Sequence, residues 1–172
     1  MKKIIYTLGT SKRNKEEFLE ILKRYNINVV FDVRRWPTSR WFEHFRKENL
    51  ESFLKEAGIA YFHFEELGGY REKGYENYLK SKIARQALKN LLNLAKNKIA
   101  VIICAEKFPW RCHRFYLTKE IEKKGWQVIH LLDKEKTWSI EDEPREIKPL
   151  CQKFRLKGDV SKSEEKGSGE ES

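Results

Sequence analysis

A chain of 172 residues is long enough for one domain with a real core, and none of its apolar runs approaches the length of a membrane span. Three cysteines are too few for a secreted disulfide framework, and the opening residues lack the apolar stretch and cleavage site of a signal peptide. The formal charge is +10; residues 157–172 carry three Lys against five acidic residues, a net of −2, which leaves +12 on residues 1–156.

Five short apolar runs alternate with helical patterns. The first, Ile4–Leu8, is strand-sized and continuous. A helix is expected to open at Asn14, whose side chain can cap while Glu17 completes a capping-box-like pair, and Phe18, Leu22 and Tyr25 form its apolar stripe. The second strand run is Val29–Val33. A second helix carries Leu50, Phe53, Leu54 and Ala57, with Gly58 at the left-handed position that ends it. Ile59–Phe64 has polar neighbours and suits an edge strand. One long helix is expected over Tyr75–Lys96, then a strand at Ile99–Cys104, a helix over Arg111–Lys124 ending at Gly125, and a strand at Val128–Leu132. Continuous apolar strands separated by helices are what a parallel sheet covered on both faces requires. The fold expected is therefore α/β: a three-layer, Rossmann-like arrangement of a mainly parallel five-stranded sheet with helices on both faces. Beyond Leu132, residues up to 156 are expected to pack back through Trp138, Ile147, Leu150 and Phe154, as an added strand or a loop. Residues 1–156 thus form a single domain, and the Gly, Ser and Glu-rich residues 157–172 a disordered polar tail.

In parallel sheets ligands bind outside the strand carboxyl ends. Here the loops at that edge hold nearly all the unusual residues. After the first strand, Gly9, Thr10 and Ser11 offer backbone N–H groups and hydroxyls to a phosphate, although no complete phosphate-loop motif is present. After the second, Arg34, Arg35 and Arg40 are interleaved with Trp36, Trp41, Phe42 and Phe45. Guanidinium forks grip phosphates and indole faces stack on bases, so the pattern suits a nucleic-acid platform. Its bland alternative is a surface loop packed down by its own aromatics. Asp32 at the strand end is a candidate acid or base, or an orienter of Arg34 or Arg40. After the third strand, Gly68 and Gly69 point to a close backbone approach to a ligand or to a tight turn; in the first case Tyr70 and Arg71 would border the pocket.

The fourth loop, Cys104 to Arg114, is the candidate reactive centre, with Trp110 a further stacking ring. Four readings stay open. Glu106 is a general acid or base while His113, Arg111 and Arg114 bind substrate. Alternatively Cys104 or Cys112 is a nucleophile with a lowered pKa. In a third, Cys104, Glu106, Cys112 and His113 hold a metal, although their spacing matches no common zinc pattern. In a fourth, the two cysteines form a disulfide. The first is preferred, and no metal or cofactor is assigned. His63 and His130 lie inside strands and read as core-edge residues.

The segments TLGTS, DVRRWPTSR, LGG, CAE and CHR, in this order and spacing, resemble the DUF488 family of small prokaryotic proteins. The resemblance spans roughly residues 3–132 and implies a compact α/β fold bearing these motif residues, without an assigned reaction. Thr10 stands where a histidine is frequent in that family. A looser resemblance is to the rhodanese sulfurtransferases, in which a strand ends in Asp-Val-Arg and a later strand in the Cys that carries a persulfide. Glu106, Phe108 and Pro109 spoil the amide cradle such a persulfide needs.

A basic body suits an anionic ligand, and a heavily charged thermophile-like surface is the competing account. The function expected is an enzyme of hydrolysis type acting on a nucleotide or nucleic-acid component at an arginine-rich rim. Its alternatives are a non-catalytic nucleic-acid-binding module and a thiol-dependent enzyme, rhodanese-like or redox. The location expected is cytoplasmic, with no membrane partner, and the oligomeric state is open.

Overall fold

A computed structural model describes residues 2–140. The expectations for Ile147, Leu150, Phe154 and the polar tail lie outside the described residues. The elements run β1 (Lys3–Gly9), α1 (Lys15–Arg24), β2 (Val29–Asp32), α2 (Lys47–Glu56), β3 (Ala60–His63), α3 (Tyr75–Tyr78), α4 (Lys82–Ala95), β4 (Ala100–Cys104), α5 (Arg114–Lys123), β5 (Trp126–Leu131) and β6 (Thr137–Trp138). No helix among the described residues is long and apolar enough to cross a membrane.

The sheet has six strands in the order β3-β2-β4-β1-β5-β6. The first five are parallel, and β6 pairs antiparallel with β5 through His130 opposite Trp138. Of the two expectations for the residues beyond Leu132, an added strand or a loop, the strand is seen at Trp138, as the two-residue β6 beside the five strands expected. It is held by a tight turn in which the Asp133 carboxylate accepts the N–H groups of Glu135 and Lys136. As expected, β3 lies at an edge.

Strand side chains alternate into two apolar clusters. Ile5, Val29, Phe31, Ile102 and Val128 pack with Leu88 and Leu91 of α4 and with Leu117 and Ile121 of α5. Leu8, Val30, Val101, Ile103 and Leu131 pack with Phe18 and Leu22 of α1 and with Leu50 and Leu54 of α2. The chain therefore leaves β1 and β2 toward the second cluster and β4 toward the first. Since β4 lies between β1 and β2, its carboxyl end is where the connections diverge, the place that open parallel sheets use for ligands.

Local signals explain most boundaries. The Asn14 side chain accepts the Glu17 N–H, opening α1, while the Glu17 carboxylate pairs with Arg13 instead of closing a reciprocal box. Gly58 and Gly125 have φ of 75° and 87° just past α2 and α5. The long helix expected over Tyr75–Lys96 is instead two, because the Ser81 side chain caps a fresh start by accepting the Ala84 N–H. Likewise α5 opens at Arg114 after a 3-10 turn over Pro109–Arg111, where a single helix from Arg111 was expected.

Candidate functional site

Two polar clusters sit at the carboxyl ends of β2 and β4, one on each face of the sheet. The first is built on Asp32, which is fully buried. One carboxylate oxygen accepts the backbone N–H and the Nε–H of Arg34; the other accepts Arg34 Nη2 at 2.7 Å and the Tyr61 hydroxyl at 2.6 Å. Arg34 Nη1 donates to the Phe45 carbonyl. Burial, and then the neighbouring Asp32 charge, push the Tyr61 phenol far above its ordinary range. Every nitrogen of the Arg34 side chain is engaged, and so are both oxygens of Asp32. The arrangement is the second of the two expected for Asp32, an orienter of Arg34, and it ties up the guanidinium that was expected to bind phosphate.

The second cluster joins Cys104 at the end of β4 to Cys112 and His113 at the entrance of α5. Both cysteines are buried free thiols, not the disulfide of the fourth reading. His113 Nδ1 lies 3.7 Å from Cys112 Sγ and 3.8 Å from Cys104 Sγ. Its other nitrogen, Nε2, is 3.2 Å from the Val33 carbonyl oxygen, which can only accept, so Nε2 carries the proton; Nδ1 is the nitrogen near Cys112, while Cys104 Sγ lies almost equally far from both, 3.9 Å from Nε2. The ring is clamped by the edge of Tyr75, 4.9 Å between centroids, and by Gly69, where a Cβ would stand 2.9 Å from Nδ1. At Gly68 a Cβ would stand 2.5 Å from Arg35 Cα. Both glycines therefore permit close approach within the chain itself, to the Arg35 backbone and to the His113 ring.

Arg114 lies beneath this cluster. It is wholly buried, and its Nη1 and Nη2 donate only to the carbonyls of Glu106 and Lys107. Its Nε has no hydrogen-bond partner, and no carboxylate pairs with it among the described residues. A buried cation so placed calls for negative charge nearby. Burial opposes ionisation of Cys112. The hydrogen bond from Cys104, with His113 and Arg114 close by, outweighs it and holds this thiol well below its ordinary value. That same hydrogen bond, together with burial, pushes Cys104 well up.

Of the anion cradle expected after β1, the Thr10 and Ser11 amides are already engaged. Thr10 N–H donates to Cys104 O at 2.7 Å and Ser11 N–H to Ala105 O at 2.8 Å, and a Cβ on Gly9 would collide with the Glu106 carbonyl. These amides bind the β4 loop and have none left for a phosphate. Glu106 is half-buried and accepts the Phe108 N–H at 3.4 Å; it stands apart from the three residues whose ligand atoms lie within 4.8 Å of one another. Trp110 stacks on Phe108 and meets Trp138 edge-on at 5.3 Å, so β6 covers the ring expected to stack on a base. Arg71 is tied to the carbonyls of Gly68 and Glu65 and stacks on Tyr78.

What stays open is a surface of rings and guanidinium groups. Trp41, Tyr70 and Trp36 are 82%, 80% and 58% exposed. Trp36 and Tyr70 face each other at 5.9 Å, Arg35 covers Trp36 at 4.7 Å and donates to the Tyr70 carbonyl, and Arg40 lies over Trp41. Arg111 is also exposed, above Phe108. The two loops that present this surface also hold His113, one through Val33 and the other through Gly69.

Sequence reasoning missed Tyr61 and Tyr75, the ring partners of the two clusters. Tyr61 carries a weak signal, a polar-tipped ring in the strand that neighbours Asp32; Tyr75 looks like any helix-stripe aromatic. Also missed was the buried Thr7–His130 pair, 2.6 Å apart, whose parallel register places both on one sheet face.

Fold and site together define an α/β protein with a cysteine–histidine centre at the carboxyl ends of its strands. The chain belongs to the family described as domain of unknown function DUF488, whose model matches residues 14–121. That match takes in the arginine–tryptophan loop, the paired glycines and both cysteines of the centre, and leaves out β1 with Thr10 and Ser11. No curated protein and no solved structure matches the chain.

Proposed function

We propose that this protein is a cytoplasmic enzyme acting on single-stranded nucleic acid or a nucleotide. Phosphates and bases are held on the Arg35, Trp36, Arg40, Trp41 and Tyr70 surface, and the chemistry takes place at the adjoining Cys104–Cys112–His113 centre. The observation that carries this reading is the sharing of loops: the segments after β2 and β3 grip the His113 ring at one end and expose stacking rings under guanidinium groups at the other. Exposed aromatic faces beside arginines are the elements of sequence-tolerant single-strand binding, and a body charge of +12 supplies long-range attraction. Glu106, in the same loop as the cysteines, provides the carboxylate for proton transfer in a hydrolytic step.

Fluorescence-anisotropy titration with short single-stranded DNA and RNA at two salt concentrations tests the reading. The expected result is binding that weakens steeply with salt and is lost in a Trp36→Ala/Tyr70→Ala variant that still folds. Absence of binding at low salt would refute it. Glu106→Gln is expected to abolish turnover while sparing affinity; full turnover would remove Glu106 from the chemistry. A second reading, a thiol-dependent enzyme without a nucleic-acid substrate, is favoured by the two free thiols that share one imidazole. It predicts a cysteine-dependent activity in the platform variant.

A further inference from the structure

We infer that Cys104, Cys112 and His113 form a three-ligand site for a zinc-type divalent cation, with the fourth position left to water or substrate. Their ligand atoms lie within 4.8 Å of one another. In a tetrahedral site with ordinary Zn–S and Zn–N bonds, sulfur and nitrogen ligands stand about 3.5 Å apart. Cys112 Sγ, 3.7 Å from Nδ1, needs only a few tenths of an ångström of closure, whereas Cys104 Sγ, 3.8 Å from Nδ1 and 3.9 Å from Nε2, completes the set by a χ1 rotation that brings it round to the Nδ1 lone pair.

The surroundings of the ring point the same way. A metal-binding histidine usually donates its other N–H to a backbone carbonyl or carboxylate, which fixes both tautomer and orientation. Here Val33 O accepts from Nε2, and Gly69 and Tyr75 leave the ring no freedom to turn away. Thiolate and imidazole donors select zinc over the hard cations. On binding, the two thiol protons pass to solvent, and two thiolates with a neutral imidazole leave the metal centre without net charge. The spacing matches no common zinc pattern, since Cys112 and His113 are adjacent and Cys104 is seven intervening residues away, and the set gathers without the Glu106 first grouped with it. The 3-10 turn over Pro109–Arg111 folds the segment back on itself.

Cobalt(II) reports this directly. The full-length protein, stripped with a chelator under reducing conditions, is titrated with Co2+ while its absorption is followed. One equivalent is expected to produce thiolate-to-cobalt charge transfer in the near ultraviolet and visible bands of tetrahedral intensity, both displaced by Zn2+. Cys104→Ser, Cys112→Ser and His113→Gln should each weaken binding by more than about 100-fold, beyond the loss typical of outer-shell changes. Cys151→Ser, outside the ligand set, should leave the spectrum as it is. Thermal melts of the metal-free variants show which are folded, and only folded ones are scored. Failure of wild type to bind Co2+, octahedral-type weak bands, or persistence of the bands in Cys112→Ser would overturn the proposal. Loss of the bands in Cys151→Ser would overturn the open fourth position. Oligonucleotide binding is not a readout here, so this site stands or falls apart from the nucleic-acid reading.

Discussion

The Asp32–Arg34–Tyr61 and Cys104–Cys112–His113 clusters occupy the carboxyl ends of neighbouring strands, yet they are opposites in hydrogen bonding. In the first, a buried carboxylate receives four donors and the guanidinium has no idle nitrogen. Nothing in it is available to a ligand. The second holds two free thiols and an imidazole nitrogen with no stronger partner than sulfur, above an arginine that has only carbonyls for company. Burial alone does not separate them, since both lie largely out of solvent. Saturation does: a closed polar cluster fixes the loop after β2, and an incompletely satisfied one is where a ligand gains by binding.

The sharpest way to break this contrast is Asp32→Asn, which leaves Arg34 buried without its counter-charge. It is expected to cost about 3–5 kcal/mol in denaturant unfolding. A cost below about 1 kcal/mol would mean that the cluster is not closed. Next in size is the platform: Trp36→Ala, Trp41→Ala and Tyr70→Ala should each cost about 1–3 kcal/mol of oligonucleotide binding by anisotropy, with melting temperature nearly unchanged. A large fall in melting temperature would show that these rings pack the loops instead.

A smaller effect comes from His130, on the same sheet face as the thiols. Burial, and then the Arg114 charge, push its pKa down to about 3, with Cys112 opposing. The depressed folded value means that this imidazole stays neutral in the native state while the unfolded chain takes up a proton near pH 6.5. The stability this contributes is complete above pH 6.5 and is lost progressively as pH falls toward 3. Between pH 6 and 5 the expected loss is about 1.4 kcal/mol per pH unit for one proton, read from urea midpoints. A flat profile across that interval would contradict a neutral buried His130. Smallest is Tyr61→Phe, which removes one of the four donors to Asp32 and should cost about 1 kcal/mol. No loss would show that Asp32 is satisfied without it.

Much of the fold was legible because strands buried on both faces must be continuous apolar runs, as β2 and β4 are, and all five apolar runs read from the sequence, the edge run at Ile59–Phe64 included, fall on strands. Asn14 and Gly58 marked helix boundaries through local chemistry that needs no tertiary knowledge. The break at Ser81 was written in a capping residue but overruled by the stronger apolar stripe on either side. Two residues of β6 were too short to carry a period. At the site, residue types were readable and their duties were not. Arg34 and Arg35 are adjacent and chemically alike, but Asp32 two residues back and Tyr61 on the next strand bury one and leave the other at the surface. Trp36 and Trp110 likewise differ because Phe108 and Trp138 lie against the second. The convergence of Cys104, Cys112 and His113 needed the turn at Pro109, whose direction no linear spacing states.

The most direct test of the open half of the rim is amide chemical-shift mapping with a short single-stranded oligonucleotide. The account predicts perturbation of the Arg35–Trp41 and Gly68–Arg71 amides, the indole N–H groups of Trp36 and Trp41, and His113. Shifts confined instead to the lysines and arginine of the groove along α4, Lys80, Lys82, Arg85 and Lys89, would contradict it and reduce the interaction to general attraction by a basic surface.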